Sequence, residues 1–198
     1  MTWLVIGAMV LGIAVGRLGI FASFFATTSN ASSWLLCVLL FVVGIGLGQN
    51  KEVWIRLRKM GLRVLIIPIA VAMGSLAGSL MVGLLLHMPY NHSLAVGAGF
   101  AWYSLSGLMI QGFGNVELGA IALLTNCFRE FFAIILIPVL AKKLGTITAL
   151  APGGAACMDT LLPLIDQTCG KDASILAFIS GAVLTTIVPI LVPLFYYM

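Results

Sequence analysis

Residues 118–143 read LGAIALLTNCFREFFAIILIPVLAKK, and the fold turns on how this run is understood. From 118 to 141 it offers 24 residues that are almost all apolar or small, followed by the pair Lys142-Lys143. About 20 such residues span the hydrocarbon core of a bilayer as one helix. Near its centre sit Asn126, Arg129 and Glu130. At that depth each ionised group costs on the order of 2.5 to 3.5 kcal/mol on insertion scales, so it needs a partner or a wet cavity. Residues three and four apart share a helix face, so the three side chains are expected to lie on one stripe turned toward the protein interior.

The rest of the chain has the same character. It has 198 residues, 62% hydrophobic and 8% charged, against roughly a quarter charged in a soluble domain. The length admits six or seven crossings and leaves almost nothing for an aqueous domain. A soluble enzyme, a secreted disulfide scaffold and a nucleic-acid binder are all disfavoured. Residues 49–63 hold Lys51, Arg56, Arg58, Lys59 and Arg63 against Glu52, a local +4 that equals the formal charge of the whole chain. A basic loop between apolar runs marks the cytoplasmic side. Cys37, Cys127, Cys157 and Cys169 form no CxxC spacing and read as small core residues. The first residues lack a basic n-region and an AxA-like site, so a retained helix is expected there.

These patterns predict an all-α polytopic membrane protein, with four to five full spans plus two broken or re-entrant segments, in a single transport domain over 1–198. Full spans are expected at 3–20, 34–48, 64–86, 118–141 and 173–197. A turn is expected at 21–33 and an external loop at 87–92. The stretch 93–116 is apolar but punctuated by Gly97, Gly99, Gly107, Gly112 and Gly114, which should interrupt a helix. A second broken stretch, 146–170, carries Pro152-Gly153-Gly154 and Pro163. With Lys142-Lys143 cytoplasmic, 93–116 must return to the side it entered, and the C-terminus is external. Gly12-x-x-x-Gly16 and Gly74-x-x-x-Gly78 are helix-packing motifs, for internal contacts or a partner.

At an offset of 56 residues the broken stretches match at seven of 22 positions, among them Gly97 with Gly153, Gln111 with Gln167 and Gly114 with Gly170. One copy starts outside and the other inside, so units 64–116 and 118–172 would form an inverted repeat. Secondary transporters use inverted repeats with discontinuous helices and bind substrate near the midplane.

Glu130 and Asp159 are the candidate carboxylates of such a site. Unwound backbone beside a carboxylate suits a cation; the alternatives are that Asp159 caps a helix and that Arg129 and Glu130 only lock helices together. Trp102, Tyr103, Ser104 and Ser106 offer an aromatic wall and hydroxyls, or else packing. His87 and His92 read as interfacial, no metal-ligand spacing is seen, and no cofactor is expected.

Three motifs, GFAWYSLSG (99–107), NCFREFFAIILIP (126–138) and GGAACMDTLLP (153–163), occur in an order that resembles the LysO lysine exporter family of bacteria and archaea. The resemblance covers roughly residues 35–198. It implies export of L-lysine across the cytoplasmic membrane, and it points by motif to Glu130 and Asp159 as intramembrane acids that matter for transport. Against the long members this chain lacks an N-terminal block of spans, which implies a second copy or a small membrane subunit. Asn126 stands where some relatives have Asp. Exporting a cation against an outside-positive potential needs a coupling ion, expected to be H+. Two other classes remain open: an intramembrane enzyme, for which no Gly-x-Gly-Asp or His-Glu-x-x-His pattern is present, and a non-transporting subunit whose buried charges only specify assembly.

Overall fold

A computed structural model of the chain describes Ile45 and residues 62–198. The expected spans at 3–20 and 34–48, the turn at 21–33, the loop 49–63 up to residue 61 and the Gly12/Gly16 motif lie outside the described residues, Ile45 apart. After a 3-10 turn at Leu62–Leu65 come α1 (Ile66–Leu85), α2 (Tyr90–Gly97), α3 (Tyr103–Gly112) and α4 (Val116–Leu144). Two further 3-10 turns, Thr148–Leu150 and Gly154–Met158, precede α5 (Leu162–Cys169) and α6 (Lys171–Tyr196). The described residues contain no strand. Among the described residues three helices, α1, α4 and α6, are long and apolar enough to cross a membrane. The chain is an all-α membrane protein.

The boundaries follow local chemistry. The Asn115 side chain accepts the Leu118 N–H at 2.9 Å, capping α4, and Glu117 lies in its first turn. Lys142 and Lys143 occupy its last turn, where positive charge favours the dipole, and Gly145 ends it at φ 91°. The helix thus outruns the expected 118–141 at both ends. Likewise α2 begins at Tyr90, inside the stretch expected to be loop, because Pro89 sits just before its first turn.

Both interrupted segments are hairpins. His92 at the start of α2 stacks on Tyr196 with ring centroids 5.9 Å apart, and Phe113 just beyond α3 lies 5.0 Å from the same ring. The α2–α3 segment therefore enters and leaves at the end where α6 finishes. The stretch from Gly145 to Gly170 does the same at the opposite end, between the close of α4 and the start of α6. The two tips meet between the ends: the Ala155 N–H donates to the Phe100 carbonyl at 2.8 Å.

The first tip is not made by its glycines. Residues 98–102 are turned by Phe100 at φ 45° and Ala101 at φ 72°. Gly107, expected to break the helix, lies inside α3 and lets it approach α4, since a Cβ there would come within 2.9 Å of the Leu123 Cβ. What holds the unusual backbone is Asn126, only 2% exposed. Its Oδ1 accepts the Ala101 N–H at 2.8 Å, and its Nδ2 donates to the carbonyls of Ala122 at 2.9 Å and Val96 at 3.2 Å. The second tip does depend on a glycine. Gly154 sits at φ 55°, and a Cβ on it would run into the Phe100 carbonyl. Below the tips, Ala133 and Ile137 of α4, Leu150 and Ile165 of the second hairpin and Ala177 of α6 close one apolar core.

Gly114 and Gly170, partners at the 56-residue offset, both have positive φ, at 94° and 86°, and each stands between a hairpin and the following long helix. In α1, Gly74 and Gly78 face no neighbour within 4 Å, and the contacts with α2 run through Ser79 against Gly97 and Gly83 against Ser93.

Two stability measurements follow. Gly154→Ala is expected to cost about 2 kcal/mol or more in thermal unfolding of the detergent-solubilised protein, while Gly74→Ala changes it by less than about 1 kcal/mol. Asn126→Ala should cost roughly 1 to 3 kcal/mol, because it leaves a buried backbone N–H without an acceptor. An unfolding midpoint equal to that of the parent would remove Asn126 from its role at the tip.

Candidate functional site

Where the tips meet, they wall a cavity of about 100 Å³ together with α4 and α6. The first hairpin contributes Ala101, Trp102, Tyr103 and Ser104; α4 contributes Glu130. The second hairpin supplies Ala155, Ala156, Met158, Asp159 and Thr160, and α6 supplies Thr185. Five of the eight residues singled out in the sequence thus share one cavity: Glu130, Asp159, Trp102, Tyr103 and Ser104. Glu130 is half-buried, whereas Asp159, Thr160, Tyr103 and Ser104 are exposed.

Glu130 is residue 15 of the 29 in α4, so it lies about 21 Å along the helix from either end at 1.5 Å per residue. Asp159 follows the Gly154–Met158 turn and precedes α5. Its Oδ1 accepts the N–H of the next residue, Thr160. It does not cap α5, whose N-cap is Leu161 and which has no side-chain capping bond. Its second carboxylate oxygen has no hydrogen-bond partner within the chain among the described residues.

The other three candidates point elsewhere. Asn126 binds the first tip, as above. Ser106 is fully buried and donates to the Trp102 carbonyl at 2.9 Å, with the Asn126 Nδ2 at 3.4 Å. Arg129 turns away from the cavity, toward α1. Its Nε donates to the Pro152 carbonyl at 3.0 Å, Nη2 to that of Ala151 at 3.4 Å, and Nη1 to the Ser75 hydroxyl at 2.7 Å. The expected common stripe is therefore divided: neighbours on a helix are about 100° apart, and Arg129 and Glu130 serve opposite sides of the tips.

This division matches the backbone dipoles. On the cavity side the hairpins start their returning helices: Trp102, Tyr103 and Ser104 open α3, and Asp159 and Thr160 lead into α5. Helix N-termini carry partial positive charge, which favours carboxylates nearby. On the Arg129 side the hairpins end their entering elements, with the carbonyls of Gly97, Ala151 and Pro152 exposed to donors. Cation and acids thus occupy the ends that suit them.

Met158, Thr160, Thr185 and Ser75 were not singled out from the sequence. Thr185 and Thr186 do stand as a hydroxyl pair in the middle of a long apolar run, and the Thr185 hydroxyl lies 3.4 Å from the Met158 sulfur. Ser75 sits mid-span in α1 next to Gly74, a signal shared with ordinary helix-packing residues. Two larger spaces, of about 360 and 590 Å³, flank Arg129 along α1 and are lined mainly by glycines and aliphatic side chains. Among the described residues no group of three or more His, Cys, Asp or Glu could hold a metal ion.

Known proteins are similar to this chain over nearly its whole length. The family described as lysine exporter LysO matches residues 6–196. The lysine exporter LysO of Escherichia coli K12 is 37% identical over 190 residues, covering 96% of this chain and 62% of that protein. A putative lysine exporter of Haemophilus influenzae is 32% identical over 194 residues, covering 96% of this chain and 95% of that protein. No solved structure matches the chain. With the match running through both hairpins and every residue of the acid-lined cavity, the chain belongs to the LysO family of lysine exporters.

Proposed function

We propose that this protein exports L-lysine, or a closely related basic amino acid, from the cytoplasm by alternating access coupled to inward proton movement. The observation that carries the reading is the cavity in which Glu130 and Asp159, from different elements, stand at the meeting point of two re-entrant hairpins. Family membership and the names of the two relatives support the substrate. The orientation follows the positive-inside rule, with loop 49–63 cytoplasmic and the C-terminus external. The working unit is a second copy of the chain, or a small membrane subunit, assembled with this one.

The chemistry starts from electrical work. Moving one positive charge outward against an outside-positive membrane costs about 2.3 kcal/mol per 100 mV, and a proton moving inward returns the same amount. Two carboxylates that bind either protons or an ammonium group enforce that exchange. A carboxylate that takes up a proton loses the charge that holds an ammonium group, so loading lysine expels protons and loading protons expels lysine. The N-terminus of α3, which no side chain caps, suits the amino acid's own carboxylate, since Arg129 is occupied by carbonyls and Ser75. The two units 64–116 and 118–172 supply the near-symmetric halves that would alternate around the site.

Two measurements test the reading. Glu130→Gln and Asp159→Asn should each lower lysine efflux from proteoliposomes at least about tenfold while leaving membrane insertion and unfolding temperature near the parent's. Normal flux in either variant would refute the assignment of that acid. With the parent protein, dissipating an imposed pH gradient with a protonophore should abolish uphill lysine movement; persistence of uphill transport would eliminate proton coupling.

A further inference from the structure

Arg129 is a cation at the middle of a membrane helix, and its bonding pattern differs from that of a ligand-binding residue. Three of its donors are engaged by the protein itself: the Pro152 carbonyl at 3.0 Å, the Ala151 carbonyl at 3.4 Å and the Ser75 hydroxyl at 2.7 Å. Ser75, on α1, donates its own hydroxyl hydrogen bond to the Gly97 carbonyl at 2.9 Å. Gly97 closes the entering helix of the first hairpin, and Ala151 and Pro152 close the entering turn of the second. One guanidinium therefore reaches carbonyls at the close of the entering element in both hairpins, directly in one and through a serine in the other. A Cβ on Gly154 would come within 3.2 Å of Arg129 Nη2, so the same group lies right behind the contact between the tips.

At the ends of their elements these carbonyls have few backbone partners, Gly97 keeping only a 3.4 Å bond from the Phe100 N–H, and inside a membrane protein each unpaired one costs several kcal/mol. They also carry the negative ends of the entering elements, which a fixed positive charge offsets. A planar guanidinium presents donors in several fixed directions at once, whereas a lysine ammonium is a point charge on a flexible stem. The arrangement serves backbone and not cargo.

We propose that Arg129, acting with Ser75, is a positioning residue: it clamps the entering ends of both hairpins to α1 and α4, keeps the tips in contact, and so sets the shape of the acid-lined cavity from behind. It does not bind the carboxylate of the transported molecule. The transport consequence rests on the exporter reading; the clamp itself does not.

The test uses the purified full chain with Arg129→Lys, Ser75→Ala and Ser75→Thr, read first by hydrogen exchange of the Ala101 and Ala155 amides. Both Arg129→Lys and Ser75→Ala should speed exchange of both amides about tenfold or more, and Ser75→Thr, which keeps the hydroxyl, should return them to within about twofold of the parent. Faster exchange at Ala101 alone in Ser75→Ala, or at Ala155 alone in Arg129→Lys, would overturn the clamp, because each hairpin would then be held separately. In proteoliposomes, Arg129→Lys should reduce the maximal lysine flux about tenfold with KM changed less than about twofold. A KM raised tenfold at retained maximal flux would instead make Arg129 a substrate ligand. Should the parent move no lysine, the exporter reading fails while the exchange result still decides the clamp.

Discussion

A hydrogen bond from the Ala155 N–H to the Phe100 carbonyl joins the tips of two hairpins that enter from opposite ends of the molecule. Backbone that leaves the helical state inside a membrane protein must find partners within the protein, since lipid offers none. Here that requirement is met by few groups. Asn126 takes the Ala101 N–H and supplies the Val96 carbonyl; Arg129 supplies Ala151 and Pro152; Ser75 supplies Gly97. Without them the positive φ values of Phe100 and Ala101 would have no compensation, and the space between the tips would have no defined shape.

Helix α4 organises this arrangement because one turn of it carries three groups with separate tasks. Asn126 faces the first tip, Arg129 the rear of both, and Glu130 the cavity. The separation also resolves an electrostatic difficulty. An arginine and a glutamate side by side in sequence would neutralise one another if they shared a face, and the carboxylate would then be a poor receptor for a cation. Turned apart, the arginine is held by carbonyls and hydroxyl, and the glutamate is left to the cavity.

Much of this was legible in the sequence, for physical reasons. Long helices are dictated by bilayer thickness, so α1, α4 and α6 follow from run length alone, and Pro152-Gly153-Gly154 marks the second interruption because proline and glycine act on the backbone locally. Glu130 and Asp159 stood out because ionised groups in apolar runs are costly. The first interruption was legible as a region but not in its cause. The glycines at 99 and 107 serve close approach, to Asn126 and to α4, while Phe100 and Ala101 make the turn under constraint from a residue 25 positions away. Helical periodicity placed Asn126, Arg129 and Glu130 on one stripe, but a stripe is wide enough to face three different neighbours. Thr185, Met158 and Ser75 joined the site or its support through tertiary contact, which no local pattern encodes.

The dimensions of the cavity place a further condition on any cargo. A space of about 100 Å³ accommodates a charged end group with a few waters, less than a whole amino acid. Its rear wall is the clamped pair of tips, which cannot retreat without breaking the bonds of Asn126 and Arg129. Its front is made of exposed side chains, Tyr103, Ser104, Asp159 and Thr160. If an ammonium group seats against Glu130, the remainder of the molecule must extend past these four residues. Charge is then read deep in the cavity, against a rigid wall, while length is read at its mouth, where side chains can adapt. Under the proposed function, discrimination among basic amino acids of different length would then depend less on the acids than on Tyr103, Ser104 and Thr160.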